Sequence, residues 1–326
     1  MNHLDKPAGA SLVAAVILKP LNFAQLLIPD FSLILIGYLV CRYTALNRSV
    51  WLQVESLVYF LLFPVLLFQS IMKSPLDLGA ASSFIGAGLA LAALSIALSY
   101  SLPYWPWMGR HISTHEHAAS AQVAFRFNSF IGLALVDRLA GPQGQSLIAL
   151  LIGLCVPLYN VAAVWPMARH AQRGLARELA RNPLVIATLS GLAANLAGLH
   201  IPLWLEPTVT RIGAASLALG LMAAGAGMHL GHLANAKFLA VAVLAVKHFV
   251  MPLLAWGLAL AFGLTPVQST VLLAFSALPT ASSCYVLAAR MGYNGAYVAA
   301  LVTLSTLLAM LSLPFALGVL LPTLLR

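Results

Sequence analysis

An arginine and an asparagine, Arg126 and Asn128, stand near the middle of an apolar segment at 115–140 and are followed at once by Ser129. A charged side chain at membrane depth is costly unless it is paired or wet, so it marks a candidate functional site. A guanidinium can hold a carboxylate through two parallel hydrogen bonds, and an asparagine amide can donate to the same anion. The alternatives are a structural ion pair for Arg126 and a helix–helix hydrogen bond for Asn128.

A proline lies near the middle of a second apolar segment, at 266–291. Pro279 lacks a backbone N–H and clashes with the preceding turn, so we expect the helix to be interrupted there. Three hydroxyl side chains follow it, namely Thr280, Ser282 and Ser283. They either line a site or bind carbonyl groups that the interruption frees. Paired helix interruptions are a sequence indication of a transport site, and the N-termini that they create favour an anion.

Lys247 is the other basic residue at membrane depth, in a segment at 237–263. It could compensate the charge of a bound anion or take part in ion coupling, and a purely structural cation is the alternative. His111 and His115 are four residues apart but do not form the H-E-x-x-H motif, so no metal site is expected. The chain also lacks a nucleophile elbow and paired intramembrane aspartates, so neither catalytic residues nor an organic cofactor is expected.

The composition shows what kind of structure must hold these residues. Of 326 residues, 61% are hydrophobic and only 8% are charged, against roughly 25% charged residues in soluble domains. The mean hydropathy is +0.95. Such a chain could not cover a soluble surface, and its apolar content excludes disorder. Its apolar runs are continuous, whereas a transmembrane barrel would alternate apolar and polar residues. The predicted fold is therefore an all-α polytopic membrane protein.

Ten apolar segments are long enough to approach the roughly 20 residues of a membrane span. They lie at 22–42, 50–73, 78–101, 115–140, 144–168, 182–200, 205–230, 237–263, 266–291 and 295–322. The predicted organisation is an N-terminal extension at 1–20, five segments at 21–168, a basic loop at 169–181 and five segments at 182–326.

The basic residues predict the orientation of the chain. The loop at 169–181 carries four arginines and one glutamate, and placing it in the cytoplasm puts the N-terminus outside. Nine of the 17 basic residues then face the cytoplasm and six face outward, which leaves Arg126 and Lys247. The net charge of +9 is thus explained by membrane topology together with an anion site, and not by a nucleic-acid partner.

The two sets of five segments share a pattern. Gly141-Pro-Gln-Gly144 is matched 151 residues later by Gly292-Tyr-Asn-Gly295, and at that offset Asn128 falls opposite Pro279. A second match, at an offset of 154, pairs Pro29 and Gly37 with Pro183 and Gly191. Because five is odd, the two copies would cross the membrane in opposite directions, as in the inverted repeats of secondary transporters.

Five stretches together carry a family resemblance: Leu27–Tyr38, Tyr59–Phe68, Phe127–Leu133, Asn182–Leu184 and Ala277–Ser282. In this order and spacing they resemble the auxin efflux carrier family of bacterial and plant transporters. The resemblance implies ten helices in two inverted repeats of five, with the fourth and ninth helices broken and crossing. It also implies an elevator-like carrier of small organic anions, and bacterial members are linked to malate or malonate.

By position in the family, Asn128 and Pro279 would mark the crossover. Polar residues of the second and fifth helices would face the substrate, namely Gln69, Ser70, Tyr159 and Asn160. The resemblance also suggests a homodimer. Plant members carry an acidic and a basic residue early in the third helix, and Leu78–Phe84 has neither. The coupling ion, H⁺ or Na⁺, is therefore left open. A sodium-coupled symporter of the bile acid type is the main alternative, and an intramembrane enzyme or a non-transporting sensor is a weaker one.

Overall fold

The computed structural model describes residues 23–73, 82–106, 109–168, 183–228, 237–281 and 283–325. Within these ranges the chain is helical and contains no β-strand. The predicted extension at 1–20, the basic loop at 169–181 and Ser282 lie outside the described residues, as does the side chain of Ser70.

The first half contains α1 (Phe23–Tyr43), α2, α3 (Ser82–Ser101), α4 and α5. Three pieces make up α2, namely Arg48–Leu57, a π-helical turn at Val58–Leu62, and Phe63–Lys73. Two short pieces, Thr114–Ser120 and Gln122–Phe125, form α4. The long α5 runs from Ser129 to Ala168 and is kinked at Gly141. The fourth predicted segment is thus α4 plus the start of α5, and the fifth is the rest of α5.

The second half contains α6 (Pro183–Leu196), α7 (Glu206–Ala226), α8, α9 (Pro266–Ala277), α10 (Ser283–Arg290) and α11. A π-helical turn at Val246–Val250 joins the two pieces of α8, Lys237–Ala245 and Met251–Ala261. The last helix, α11, comprises Gly295–Pro314, a π-helical turn at Phe315–Leu320, and Leu321–Leu324. The ninth predicted segment is divided into α9 and α10.

Among the described residues, five stretches are long and apolar enough to cross a membrane: Arg48–Gln69, Ser82–Tyr104, Ile131–Met167, Lys237–Ala261 and Gly295–Leu324. Helices suit this environment because they satisfy every backbone hydrogen bond internally, which lipid cannot do. The prediction of an all-helical polytopic membrane protein is confirmed at this level.

Helix ends follow local sequence signals. Thr265 and Gln268 form a reciprocal capping box at the start of α9, where Pro266 occupies a position that needs no N–H. Asn294 caps α11 by accepting from the Tyr297 amide at 3.0 Å. The two glycines that the sequence match pairs, Gly141 and Gly292, both have a positive φ, at 55° and 81°. Glycine is favoured at both turns because other residues rarely adopt this conformation.

The helices pack in two groups. One consists of α1, α2, α6 and α7, and the other of α3, α4, α5, α8, α9, α10 and α11. In the first group α1 and α7 cross closely, since a methyl group at Gly225 would overlap the Ile34 carbonyl and one at Gly37 would overlap the Met222 carbonyl. The second group contains both predicted helix interruptions, and α5 is the main element through which the two groups meet.

Candidate functional site

The two helix interruptions contact each other directly. Helix α4 ends as Arg126 becomes extended (ψ 154°), and α9 ends as Leu278 does the same (ψ 145°). The amide of Asn128 donates to the carbonyl of Pro279 at 2.7 Å. Each interruption frees backbone groups that its own helix cannot satisfy, and this bond pairs one from each side.

Asn128 also acts as the cap of α5. Its side-chain oxygen accepts from the Ile131 amide at 3.3 Å, and its carbonyl accepts from Gly132 at 3.0 Å. Ser129 is the first residue of α5 and is buried beside it. The N-terminus of α5 therefore begins inside the protein, next to the interruption that precedes it.

Arg126 is buried, with only 8% of its surface exposed. Its guanidinium donates to Gln122 Oε1 at 2.9 Å and to Asn160 Oδ1 at 3.1 Å. No carboxylate of the described residues lies within 4.0 Å of it. Two neutral amides orient the guanidinium but leave its charge uncompensated, and burial makes that charge costly.

Two neighbours of Arg126 complete this part of the site. The Asn160 side-chain nitrogen is buried and has no hydrogen-bond partner, so Asn160 presents a second donor beside the guanidinium. The ring of Tyr159 packs on Phe125 and Phe127, with centroid distances of 5.5 and 6.1 Å. Tyr159 thus contacts the residues on both sides of Arg126 and helps to hold this part of the chain in place.

Lys247 lies in the π-helical turn of α8 and is only 1% exposed. Arg126 contacts the Cys284 sulfur, and Lys247 lies within electrostatic range of the same atom. Across the described part of the chain, no carboxylate is in salt-bridge distance of Lys247 either. Two buried cations from different helices thus share one neighbourhood beside the start of α10.

Thr280 connects the second interruption to two further helices. Its hydroxyl donates to the Val123 carbonyl of α4 at 2.6 Å, and its amide donates to Ser305 Oγ of α11 at 2.9 Å. Ser305 also donates to the Thr280 hydroxyl at 3.0 Å. The Thr280 hydroxyl therefore binds a freed carbonyl, which is one of the two roles that the sequence left open for it.

Two residues of the site, Gln122 and Ser305, were not predicted from the sequence. Gln122 precedes Arg126 by one helical turn, and its amide nitrogen donates to the Ala119 and Cys284 carbonyls at 2.9 and 3.2 Å. The i, i+4 spacing of a glutamine and an arginine in an apolar helix was an available signal. Ser305 carried no comparable signal, because single serines are common in membrane helices.

Gln69 does not join this cluster through any contact in the described structure. Its amide nitrogen donates to the Thr210 hydroxyl of α7 at 2.7 Å, so it links two helices of the first packing group. Its partner Thr210 lies 141 residues away in the sequence, which explains why the spacing of polar residues did not reveal the pair.

The histidines in and just before α4 engage in ring and backbone contacts. His115 stacks on Tyr293 with a centroid distance of 4.5 Å, His111 packs on Phe238 at 5.4 Å, and a His117 ring nitrogen lies 2.9 Å from the Ser99 carbonyl. Within the described ranges, no group of three or more His, Cys, Asp or Glu side chains is placed to hold a metal ion.

A second polar cluster connects the two packing groups. Arg48 pairs with Glu55 at 2.8 Å within α2. Tyr285 of α10 donates to Glu55 at 2.6 Å and accepts from Arg48. The Arg48 guanidinium also lies over the Tyr285 ring, 5.5 Å from its centroid. This cluster attaches the helix that follows the second interruption to the neighbouring group.

Apolar helices of spanning length, two interrupted helices that meet inside the protein and buried cations near their contact define a polytopic membrane protein. The interruptions and the buried charges further indicate the class of membrane transporters.

Comparisons with known proteins agree with this class. A family model described as Membrane transport protein matches residues 165–317. A protein of Rhizobium meliloti (strain 1021), named "Putative malonate transporter", is 25% identical over 297 residues, which cover 87% of this chain and 91% of the relative. Both matches support the predicted resemblance to the auxin efflux carrier family of membrane transporters.

Proposed function

We propose that the chain is a secondary transporter of small organic anions, either mono- or dicarboxylates such as malate or malonate. The observation that carries this proposal is a buried arginine, Arg126, that has two amide partners and no carboxylate partner among the described residues. It lies where two interrupted helices meet, which is the usual place for a transport site. The name of the Rhizobium relative supports a dicarboxylate substrate.

In this proposal the substrate carboxylate binds at Arg126. A guanidinium has five N–H donors, and two bonds to amides leave others for an anion. The unpartnered nitrogen of Asn160 supplies a further donor, and the nearby N-terminus of α5 favours negative charge. Lys247 compensates a second negative charge. Other proposed contacts come from Asn128, Ser129, Pro279, Thr280, Ser282, Gln69, Ser70 and Tyr159.

We further propose alternating access of the elevator type. The group that contains α4, α5, α9 and α10 would carry the anion, and the group of α1, α2, α6 and α7 would act as the scaffold. The division of the helices into two packed groups supports this assignment. The positive φ of Gly141 and of Gly292 supports ten helices in two inverted repeats, because matched turns would then end the fourth and ninth helices.

The proposed setting is the bacterial inner membrane, with the N-terminus outside and the basic loop at 169–181 in the cytoplasm. A homodimer belongs to the same proposal, and the coupling ion, H⁺ or Na⁺, is left to experiment. A sodium-coupled symporter of the bile acid type is the alternative, and sodium-dependent uptake would favour it.

Counterflow of labelled malonate in proteoliposomes tests the proposal. Arg126→Ala removes the charge-assisted hydrogen bonds to the substrate. This should weaken malonate binding by about 1.5–3 kcal/mol and raise the malonate KM roughly ten- to a hundredfold. Arg126→Lys keeps the charge but loses the bidentate geometry, so we expect an intermediate defect. Arg110→Ala is the matched control, because Arg110 is exposed.

The outcomes of the assay test the role of Arg126, the coupling ion and the substrate class separately. Wild-type exchange by a folded Arg126→Ala protein would refute the carboxylate role of Arg126. Uptake that depends on a sodium gradient would favour the bile acid type, and uptake that follows a pH gradient would favour proton coupling. A panel of mono-, di- and tricarboxylates as competitors would define the substrate class.

A further inference from the structure

His248 lies between two serines of the neighbouring helix. It occupies the π-helical turn of α8 next to Lys247, and it is as deeply buried as Lys247. Its Nδ1 lies 2.8 Å from Ser312 Oγ, and its Nε2 lies 2.9 Å from Ser305 Oγ. The two serines are seven residues apart in α11, so they face the same side two turns apart. One imidazole therefore bridges two turns of α11.

The same two serines bind the chain on both sides of Pro279. Ser312 donates to the carbonyl of Ala277 at 3.1 Å, before the proline. Ser305 accepts from the amide of Thr280 at 2.9 Å, after the proline. His248 is thus connected, through one serine each, to both flanks of the second helix interruption.

The hydrogen-bond directions indicate which ring nitrogen carries the proton. Ser312 uses its hydroxyl proton on Ala277, so it must accept from a protonated Nδ1 of His248. In a neutral ring Nε2 is then an acceptor, and Ser305 must donate to it. Ser305 has one hydroxyl proton and two possible acceptors, Nε2 and the Thr280 hydroxyl at 3.0 Å, so it can donate to only one of them at a time. An imidazolium would place a second buried positive charge beside Lys247, which is unfavourable.

We propose that His248 is a positioning residue of the transport site: a neutral imidazole protonated at Nδ1, it holds Ser305 and Ser312 so that they fix the chain around Pro279. The expected effect of His248 on anion binding rests on the proposed transport function. Thr280 in turn binds Val123 of α4, so the position of the second interruption affects its contact with the first. Loss of His248 would free Ser305 and Ser312 to rotate and would loosen the anion site without removing any group that contacts the anion.

The protonation state can be measured without any transport assay. Full-length protein labelled with ¹⁵N-histidine in nanodiscs gives ring nitrogen signals, and His248→Gln identifies those of His248 among nine histidines. We expect at neutral pH a protonated Nδ1 and an unprotonated Nε2. A protonated Nε2, alone or together with Nδ1, would overturn the assignment.

A double-mutant cycle tests the positioning role, with malonate as the probe. His248→Gln and Ser305→Ala should each raise the malonate KM about five- to tenfold, with a smaller effect on the maximal rate. Because His248 acts through Ser305, the double variant should be no worse than the more affected single variant. Ser276→Ala is the control, since that buried hydroxyl binds only its own helix in the contacts described, at Leu273.

The outcomes separate this inference from the proposed function. Additive effects, or a KM unchanged in His248→Gln, would refute positioning through Ser305. Absence of carboxylate exchange by the wild-type protein would refute the proposed function, and the nitrogen signals would still decide the state of His248.

Discussion

Replacement of Thr280 by valine removes one hydroxyl from the place where the two interrupted helices meet. Valine keeps the shape of the side chain, so the perturbation is confined to hydrogen bonding. The hydroxyl donates to the Val123 carbonyl and accepts from Ser305. Val123 lies in the last turn of α4, where carbonyl groups have no partner within the helix, so the substitution leaves a buried acceptor unsatisfied.

The expected cost follows from that unsatisfied group. A buried polar atom that loses its partner costs about 1–3 kcal/mol, so we expect Thr280→Val to destabilise the protein by about 2 kcal/mol. Thr270→Val is the matched control, because the Thr270 hydroxyl is also buried but donates to Pro266 in its own helix, at 2.8 Å. Loss of the Thr270 hydroxyl should change the free energy of unfolding far less, because a hydrogen bond from a threonine side chain to the carbonyl one turn earlier contributes little to helix stability.

Thermal unfolding in detergent, with malonate counterflow in parallel, measures both consequences. Thr280→Val should lower the apparent unfolding temperature by several degrees and raise the malonate KM, whereas Thr270→Val should do neither. If the two variants unfold at the same temperature, the hydroxyl does not hold the interruptions together. The hydrogen bond between Asn128 and Pro279 would then be the main connection between them.

Three further substitutions test other parts of the structure. Gly225→Ala should destabilise by about 1–3 kcal/mol or more through overpacking against Ile34, whereas Gly257→Ala, with open space around it, should be neutral in the same thermal assay. Asn128→Asp should retain the cap of α5, since aspartate caps equally well, but should suppress malonate uptake through its charge. Asn294→Asp, at the α11 cap, is its control, and equal uptake by both would refute an anion site at Asn128. Tyr285→Phe removes the hydroxyl that joins α10 to Glu55, so we expect it to change the exchange rate more than the malonate KM. Tyr293→Phe should leave both unchanged, and a Tyr285→Phe protein with wild-type rates would show that this cluster does not limit movement.

The positions of the helices were largely predictable because a membrane chain has few options. Continuous apolar runs must form helices, and within the described ranges the α-helices match the predicted segments to within about two residues where they extend beyond them. Pro279 located the second interruption because proline removes a donor and obstructs the preceding turn. The first interruption was indicated only by its polar residues, and Asn128 proved to be the cap of the helix that follows.

The partners of the candidate site residues could not be predicted in the same way. Arg126 is paired with Gln122 and with Asn160, which is 34 residues away, and the second contact depends on how α5 packs after its kink at Gly141. The resemblance placed Asn160 near the substrate but did not reveal its bond to Arg126. Local sequence determines where a helix ends, whereas the pairing of buried polar groups depends on the packing of distant segments.

At the candidate site, the backbone groups of the two interruptions are satisfied without any contribution from the buried cations. The interruptions satisfy each other through a neutral bond between an amide and a carbonyl, so they need no charged side chain for their own stability. Arg126 and Lys247 are therefore not needed to satisfy the interruptions. Neither has a carboxylate partner in the described part of the structure. Two buried cations without counter-charges destabilise the fold, and an anion bound between them would remove part of that cost. The same feature that makes these cations unfavourable for folding thus makes a small carboxylate a favourable ligand, and malonate should raise the unfolding temperature of the wild-type protein but not that of Arg126→Ala.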